Sequence, residues 1–272
     1  MSRGPDRQPD TREAVDREAV DREAVSRGAG ILAAPAFERR LWVREAFHSI
    51  AGRYDLLNTV LSGGLHLFWK RAAVRAAHLA PGGVLVDVCC GTGDLMVLAS
   101  RLLGPVGRTV GVDFAQGMLA MASRRLPVAR RGATALLVCA DAEALPLADA
   151  SADAVTFAFG LRNVAHPEHA TREACRVLRP GGRLVVLDFG QPRSPALRVI
   201  YDLYSRMVIP RLGGWLSGRR DAYQYLHDSI RQWADPETLA ELMRQSGFDR
   251  VRYRLLTGGI AVLHVGVRPT GR

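Results

Sequence analysis

Val84-Leu85-Val86-Asp87-Val88 runs straight into Cys89-Cys90-Gly91-Thr92-Gly93-Asp94, and this join decides the fold. The first five residues are a short apolar run, the pattern of a strand buried on both faces. The glycines after it permit a tight turn and let a ligand approach the backbone closely. From Asp94 to Leu103 the apolar spacing becomes helical. A strand that turns through glycine into a helix leaves free N–H groups at the helix N-terminus, where a ligand can use them. The pyrophosphate fingerprint is G-x-G-x-x-G, but Met96 stands where its third glycine would be, which disfavours a pyrophosphate.

Outward from this join, strand and helix alternate. Apolar runs at 109–113, 135–139, 154–159 and 183–187 read as further strands, with helices over 115–126 and 166–177. Upstream, Leu41, Phe47, Ile50, Tyr54, Leu57 and Leu61 lie at helical spacing until Gly63-Gly64. A second helix over 67–79 stops at Pro81-Gly82-Gly83. Residues 192–235 break the alternation with a helical, aromatic and Arg-rich insertion. A helix over 236–247 and strands at 250–256 and 260–267 follow, the strands forming an antiparallel edge pair. The expected fold is α/β, a doubly wound, mostly parallel sheet with N-terminal helices and a helical lid. Residues 1–36 read as a disordered tail carrying a (T/D)-R-E-A-V pentamer three times, 37–268 as the domain and 269–272 as a second tail.

The chain has 272 residues and a net charge of +10. Its basic residues are nearly all Arg, with Lys70 the single Lys, and they are scattered rather than interleaved with stacking aromatics. Nucleic acid is therefore not expected as a partner. No apolar run of membrane-spanning length and no secretory leader is read, and Cys89, Cys90, Cys139 and Cys175 lack paired spacing. A cytoplasmic protein, peripheral at most on the inner face of a membrane, is the expectation.

Two carboxylates add to the glycine turn. Asp113 closes the second strand, where an acid can accept from two ribose hydroxyls or, alternatively, cap the following helix. Asp141, in Cys139-Ala-Asp-Ala142-Glu143 after the third strand, can accept from an exocyclic amine while Ala142 N–H donates to a ring nitrogen; a polar loop is the alternative. These elements in order, with Leu178-Arg-Pro-Gly-Gly182 before the fifth strand, resemble class I S-adenosylmethionine-dependent methyltransferases. The resemblance implies that cofactor, held by Gly91, Thr92, Gly93, Asp113, Asp141, Ala142 and Ala158, with Asp94 capping its helix or reaching the methionine amine through water.

More specific stretches narrow the resemblance. They are Phe47 to Asn58 with its Tyr54-Asp55-x-x-Asn58, Leu61-Ser62-Gly-Gly64 with His66, Phe159-Gly-Leu-Arg162-Asn163-Val164, Ala222-Tyr-Gln-Tyr225-Leu226 and Thr257 to His264. Together they look like the family that C-methylates demethylmenaquinol and the corresponding benzoquinol, and Asp87-Val-Cys-Cys-Gly-Thr leans toward the menaquinone branch. A polyprenyl quinol is the implied acceptor. Trp233-Ala-Asp235 departs from the family pattern and is expected to reshape the substrate mouth.

A ring carbon attacks a methyl group only once an adjacent phenol gives up its proton. Arg162 is the first candidate to stabilise the phenolate and Asn163 to hold the hydroxyl. Arg is a poor base, so water or another group takes the proton. Tyr54, His66, Tyr201 and Tyr225 are candidates for the acceptor's walls; ordinary core packing is the alternative for the tyrosines, and a loop or cap position for His66. Asp55 and Asn58 serve the site or a capping turn equally. No metal is expected: His166, His169 and Cys175 read as cap and surface residues, and His264 as a packed or edge residue. The amphipathic segment 197–216 is read as a lid with transient membrane contact. A homodimer stays open, as do methylation of another aromatic molecule, a non-catalytic cofactor-binding module and a basic nucleic-acid-binding protein.

Overall fold

The computed structural model describes residues 30–126, 133–208 and 220–271. Its strands are β1 (Val84–Val88), β2 (Arg108–Asp113), β3 (Thr134–Cys139), β4 (Ala152–Ala158), β5 (Leu178–Phe189), β6 (Asp249–Leu256) and β7 (Ala261–Val267). They form one sheet in the order β3-β2-β1-β4-β5-β7-β6. The first five pair in parallel, while β7 runs antiparallel to both β5 and β6. Of this antiparallel pair only β6 is at a rim, opposite β3 at the other, and β7 lies inside the sheet. Strand order reverses between β1 and β4, which opens a crevice beyond their carboxyl ends, the usual ligand position in such sheets.

Side chains alternate across the sheet, as a period of two requires. Val86, Val155, Phe157, Leu184 and Val186 meet α6 (Pro167–Val177) and α9 (Pro236–Gln245) on one face. Leu85, Ala154, Val185 and Leu187 meet α3 (Leu65–Ala76) and α4 (Asp94–Leu103) on the other. Burial on both faces is why these strands read as continuous apolar runs. Each large side chain fully buried here, such as Phe157, contributes about 1.5–3 kcal/mol. The second strand passes to β3 through α5 (Gln116–Arg125).

The long helix expected before Gly63-Gly64 is two helices, α1 (Ala36–Ile50) and α2 (Tyr54–Ser62), joined by a 3₁₀ turn over Ala51–Arg53. Gly52, a weak helix former, sits in that break. A further 3₁₀ turn, Gly30–Ala33, buries Ile31 completely against Trp42, Val43, Ala46 and Tyr225. The described residues thus include a stretch ahead of 37, in which Ile31 closes a small satellite core. The pentamers fall outside the described residues. The insertion contains α7 (Pro195–Leu203), a π turn over Tyr204–Val208 and α8 (Arg220–Gln232). Asp235 caps α9, its Oδ1 accepting from the N–H groups of Glu237 and Thr238 at 3.0 and 3.2 Å.

Candidate functional site

The glycine turn leaves β1 with left-handed backbone at Cys89, Gly91 and Gly93, φ +56°, +55° and +82°. A Cβ at Gly91 would point into open space, so the turn presents bare backbone to the crevice. Asp113 ties it to the next helix. Its Oδ2 accepts from Gly91 N–H at 2.8 Å and its Oδ1 from Ala115 N–H at 2.9 Å, just ahead of α5. Burial pushes this carboxyl up, and the N–H donors partly offset that. Each oxygen keeps a second lone pair, so the bonds to the turn leave Asp113 able to accept from a diol. On the neighbouring strand Phe159 is also left-handed, φ +59°, and a Cβ on Gly160 would overlap that of Cys89. The segments just past β1 and β4 therefore pack closely at Cys89 and Gly160, beside Ala158, the last residue of β4.

A chain of charges lines the turn. Thr92 Oγ1 donates to Asp55 Oδ1 at 2.6 Å, and Arg125 Nη1 donates to Asp55 Oδ2 at 2.7 Å and Thr92 Oγ1 at 2.9 Å. Arg125 Nη2 and Lys70 Nζ each reach Asp94, both at 2.6 Å. Burial opposes charge on Asp94, but Lys70 and Arg125 outweigh it and hold the carboxyl below its usual range. Asp94 is the first residue of α4 and makes no side-chain cap there. Asp55 belongs to this chain and is not a capping residue. Lys70 and Arg125 escaped the sequence reading. The signal for Lys70 was its being the single Lys in an Arg-rich chain, on the apolar side of a helix.

Farther along, Asp141 Oδ1 accepts from Glu143 N–H at 3.0 Å. Its Oδ2 pairs with Arg40 of α1 at 2.5 Å, and Arg40 also reaches Glu143 at 3.2 Å. Ala142 beside it is buried. An open glycine cradle, a carboxylate at the end of β2 and a second one after β3 supply the donor and acceptor set that an amino-acid-bearing nucleoside needs.

Next to this crevice is a cavity of about 410 Å³. Arg162, Asn163, Tyr54, His66, Tyr201 and Tyr225 all line it, drawn from five separate segments. Its remaining wall is mostly apolar, with Trp42, Trp69, Phe159 and Phe189. Tyr225 hydroxyl donates to Asn163 Oδ1 at 3.1 Å. Arg162 Nη1 donates to Phe159 O at 2.5 Å and pairs with Asp188 at 2.8 Å, while its buried Nε has no partner among the described residues. The guanidinium lies 5.2 Å from the centre of the Phe189 ring. Burial pushes the Tyr201 phenol up to about 12 and raises that of Tyr225, against the field of Arg162 in both. Burial, then Lys70, lowers His66.

Other expectations resolve differently. Trp233 packs against the sheet's core and Asp235 caps α9, and neither lines the cavity. His264 is packed: its Nε2 donates to Pro236 O at 2.8 Å and its ring sits 5.3 Å from Tyr253. His166 and His169 stack at 5.1 Å with Glu168 beside them, whereas Cys175 turns away to Gly247 O.

Among solved structures, the chain resembles a methyltransferase from Thermotoga maritima, with TM-score 0.54, 22% identity and coverage of 82% of this chain and 99% of the other. It resembles the cyclase SpnF as well, with TM-score 0.60, 18% identity and coverage of 85% and 96%. A cyclase among the neighbours shows that this fold alone does not decide the reaction. Sequence comparison is more decisive. A protein of Ectopseudomonas mendocina named ubiquinone/menaquinone biosynthesis C-methyltransferase is 44% identical, over 88% of this chain and 94% of its own. One of the same name from Pseudomonas aeruginosa is 43% identical over the same shares. The sequence model of the ubiE/COQ5 methyltransferase family matches residues 36–268, a stretch holding both the glycine crevice and the aromatic cavity. S-adenosylmethionine is accordingly the methyl donor, and the chain belongs to the ubiE/COQ5 methyltransferase family.

Proposed function

We propose that this methyltransferase C-methylates the ring of a polyprenyl quinol, with demethylmenaquinol as the preferred acceptor. The observation that carries the reading is the aromatic, mostly apolar cavity beside the crevice, within the range of small-molecule sites. Its few polar groups suit a flat ring bearing two hydroxyls. The names of the relatives cover ubiquinone and menaquinone alike, and the Cys89-Cys90 version of the turn favours the naphthoquinol.

S-adenosylmethionine supplies an activated methyl group for in-line transfer. The residues of this chain position and polarise. We assign Gly91, Thr92 and Gly93 to the methionine end, with Ala158 nearby, Asp113 to the ribose, and Asp141 with Ala142 to the adenine. Arg162 lines the cavity and is assigned to the acceptor's oxygen, and because Asp188 already balances its charge, it acts as a directed donor more than as a free cation. Asn163, held by Tyr225, takes a ring hydroxyl, and Tyr54, His66 and Tyr201 complete the wall.

The acceptor's tail is greasy. No helix among the described residues is long and apolar enough to cross a membrane. Val199, Ile200 and Leu203 on α7 are more than half exposed, as are Leu56 on α2 and Phe68 on α3. These side chains support transient contact with a bilayer, through which a prenyl tail enters. Co-sedimentation with anionic vesicles across a salt series tests that clause, and no binding at any salt removes it.

The function itself is tested with methyl-labelled cofactor. Reduced demethylmenaquinone and a demethylated benzoquinol are offered side by side. Label is expected in the naphthoquinol with the higher kcat/KM. Preference for the benzoquinol would move the chain to the other acceptor, and label in neither would remove the quinol reading.

A further inference from the structure

We infer that His66 is the general base that takes the proton from the acceptor's ring hydroxyl, an inference that rests on the quinol reading above. Ser62 Oγ donates to Asn58 O at 2.6 Å, which commits its single hydrogen. With its hydrogen directed to Asn58 O, we assign Ser62 as the acceptor toward His66 Nδ1, 2.8 Å away. The backbone N–H of His66 leans on the same oxygen at 3.3 Å. Nδ1 thus carries the hydrogen, and Nε2 is left with a bare lone pair. No described residue takes that lone pair, and the ring lines the cavity. The second nitrogen of an imidazole is set by the bond the first one makes, and here that bond yields the basic tautomer.

The charged groups facing the ring are Lys70, one turn along α3, with Asp94 and Asp55 across from it. Burial and Lys70 make the ring harder to protonate, and the two carboxylates oppose this without prevailing, so it is neutral at pH 7. The other polar groups on the wall are poor bases. Arg162 and Lys70 are donors only. The hydroxyls of Tyr204 and Tyr225 donate to Leu61 O and Asn163, and neutral phenols and amides do not take up protons at pH 7.

His66 Nε2 accepts the hydroxyl proton and becomes imidazolium, and the oxygen pair pushes charge onto the ortho ring carbon. That carbon forms a C–C bond to the methyl group as the S–CH₃ bond breaks and the sulfonium becomes a thioether. The ring carbon then releases its own proton to water while the imidazolium returns the first proton to the oxygen, for a net release of one proton per turnover.

The test is the pH profile of kcat at saturating cofactor. Wild type is expected to rise with slope one to a midpoint below 6.5, then level. His66→Gln is expected to lose about 100-fold or more at pH 7, to lack the acid limb, and to speed up above about pH 8 as the acceptor ionises unaided. Its cofactor affinity by calorimetry is expected to match wild type, which also reports the fold. A variant within about fivefold of wild type, or one keeping the limb, overturns the assignment. Should His66→Gln fail to bind cofactor, Ser62→Ala decides: it keeps the ring, and the limb is expected to move to lower pH with reduced kcat, while an unmoved profile overturns the assignment. Wild type inactive on every quinol sinks the quinol reading and this inference with it; an active wild type matched by His66→Gln sinks this inference alone.

Discussion

Arg162 Nη1 lies 2.8 Å from Asp188 Oδ1, with only 5% and 3% of the two side chains exposed. The backbone N–H groups of Arg162 and Phe189 donate to the same carboxylate, at 3.3 and 2.9 Å. A buried pair of this kind adds little net stability, but removing one partner strands a charge. Asp188→Ala is expected to lower the free energy of unfolding by about 3–5 kcal/mol. Urea denaturation followed by tryptophan fluorescence measures it, and a loss under about 1 kcal/mol would mean that Arg162 finds another anion or reaches solvent.

Gly160 is fixed by its neighbour. A methyl group there would run into Cys89, whose own left-handed backbone leaves it little room to retreat. Gly160→Ala is expected to cost about 1–3 kcal/mol of stability and to weaken cofactor binding, since the turn carrying Gly91 must shift. Cys89→Gly in the same chain removes the obstructing atom. Calorimetry on the double variant should recover most of the affinity; independent, additive losses would show that the two positions do not interact.

Asp87 gives a pH prediction. Burial pushes its carboxyl up to about 7, against a hydrogen bond from Thr156 and the field of Lys70. The folded chain therefore holds this proton more tightly than the unfolded chain does. Stability from the group is greatest below the unfolded value near 4 and declines as pH rises toward 7. Asp87→Asn keeps the acceptor for Thr156 and removes the titration. Its stability is expected to be flatter across pH 4–7, by roughly 2–4 kcal/mol at the neutral end. Denaturation curves at four or five pH values suffice, and parallel curves for both proteins would refute the shift.

Arg40 occupies the Asp141 oxygen that we assign to the adenine amine. Both side chains of that pair are more than a third exposed, so solvent screens it and the bond is worth about 1 kcal/mol or less. Arg40→Ala is expected to tighten cofactor binding by up to about fivefold at low salt, with the difference shrinking as salt rises. Titration calorimetry at two ionic strengths checks it. Weaker binding in the variant would make Arg40 a ligand for the cofactor instead of a competitor.

The parallel half of the sheet was legible because each strand buries both faces and so shows as an apolar run, with Gly91 and Gly93 marking the first turn. The residues proposed for the acceptor's walls were picked from motifs, and Arg162, Asn163, Tyr54, His66, Tyr201 and Tyr225 line one cavity. Pairing was less accessible. Nothing local in residues 261–267 says that β7 lies against β5, since periodicity reports faces and not neighbours. The pairing of Lys70, Asp94, Arg125 and Asp55 was hidden for the same reason: its members are spread from α2 to α5, and even Lys70, singled out by its place on an apolar helix side, names no partner. Ile31 hid in a segment whose composition gave no core to bury it in, because that core comes from α1 and α8.

The interior position of β7 bears on how the molecule is made. A nascent chain emerging from the ribosome has β5 complete long before residues 261–267 exist, so one flank of that strand offers unpaired N–H and C=O groups throughout the interval. Synthesis cannot finish the sheet progressively from one side to the other. The late hairpin must slot in as a unit, and until it does, the half-built protein is a customer for chaperones and a template for aggregation.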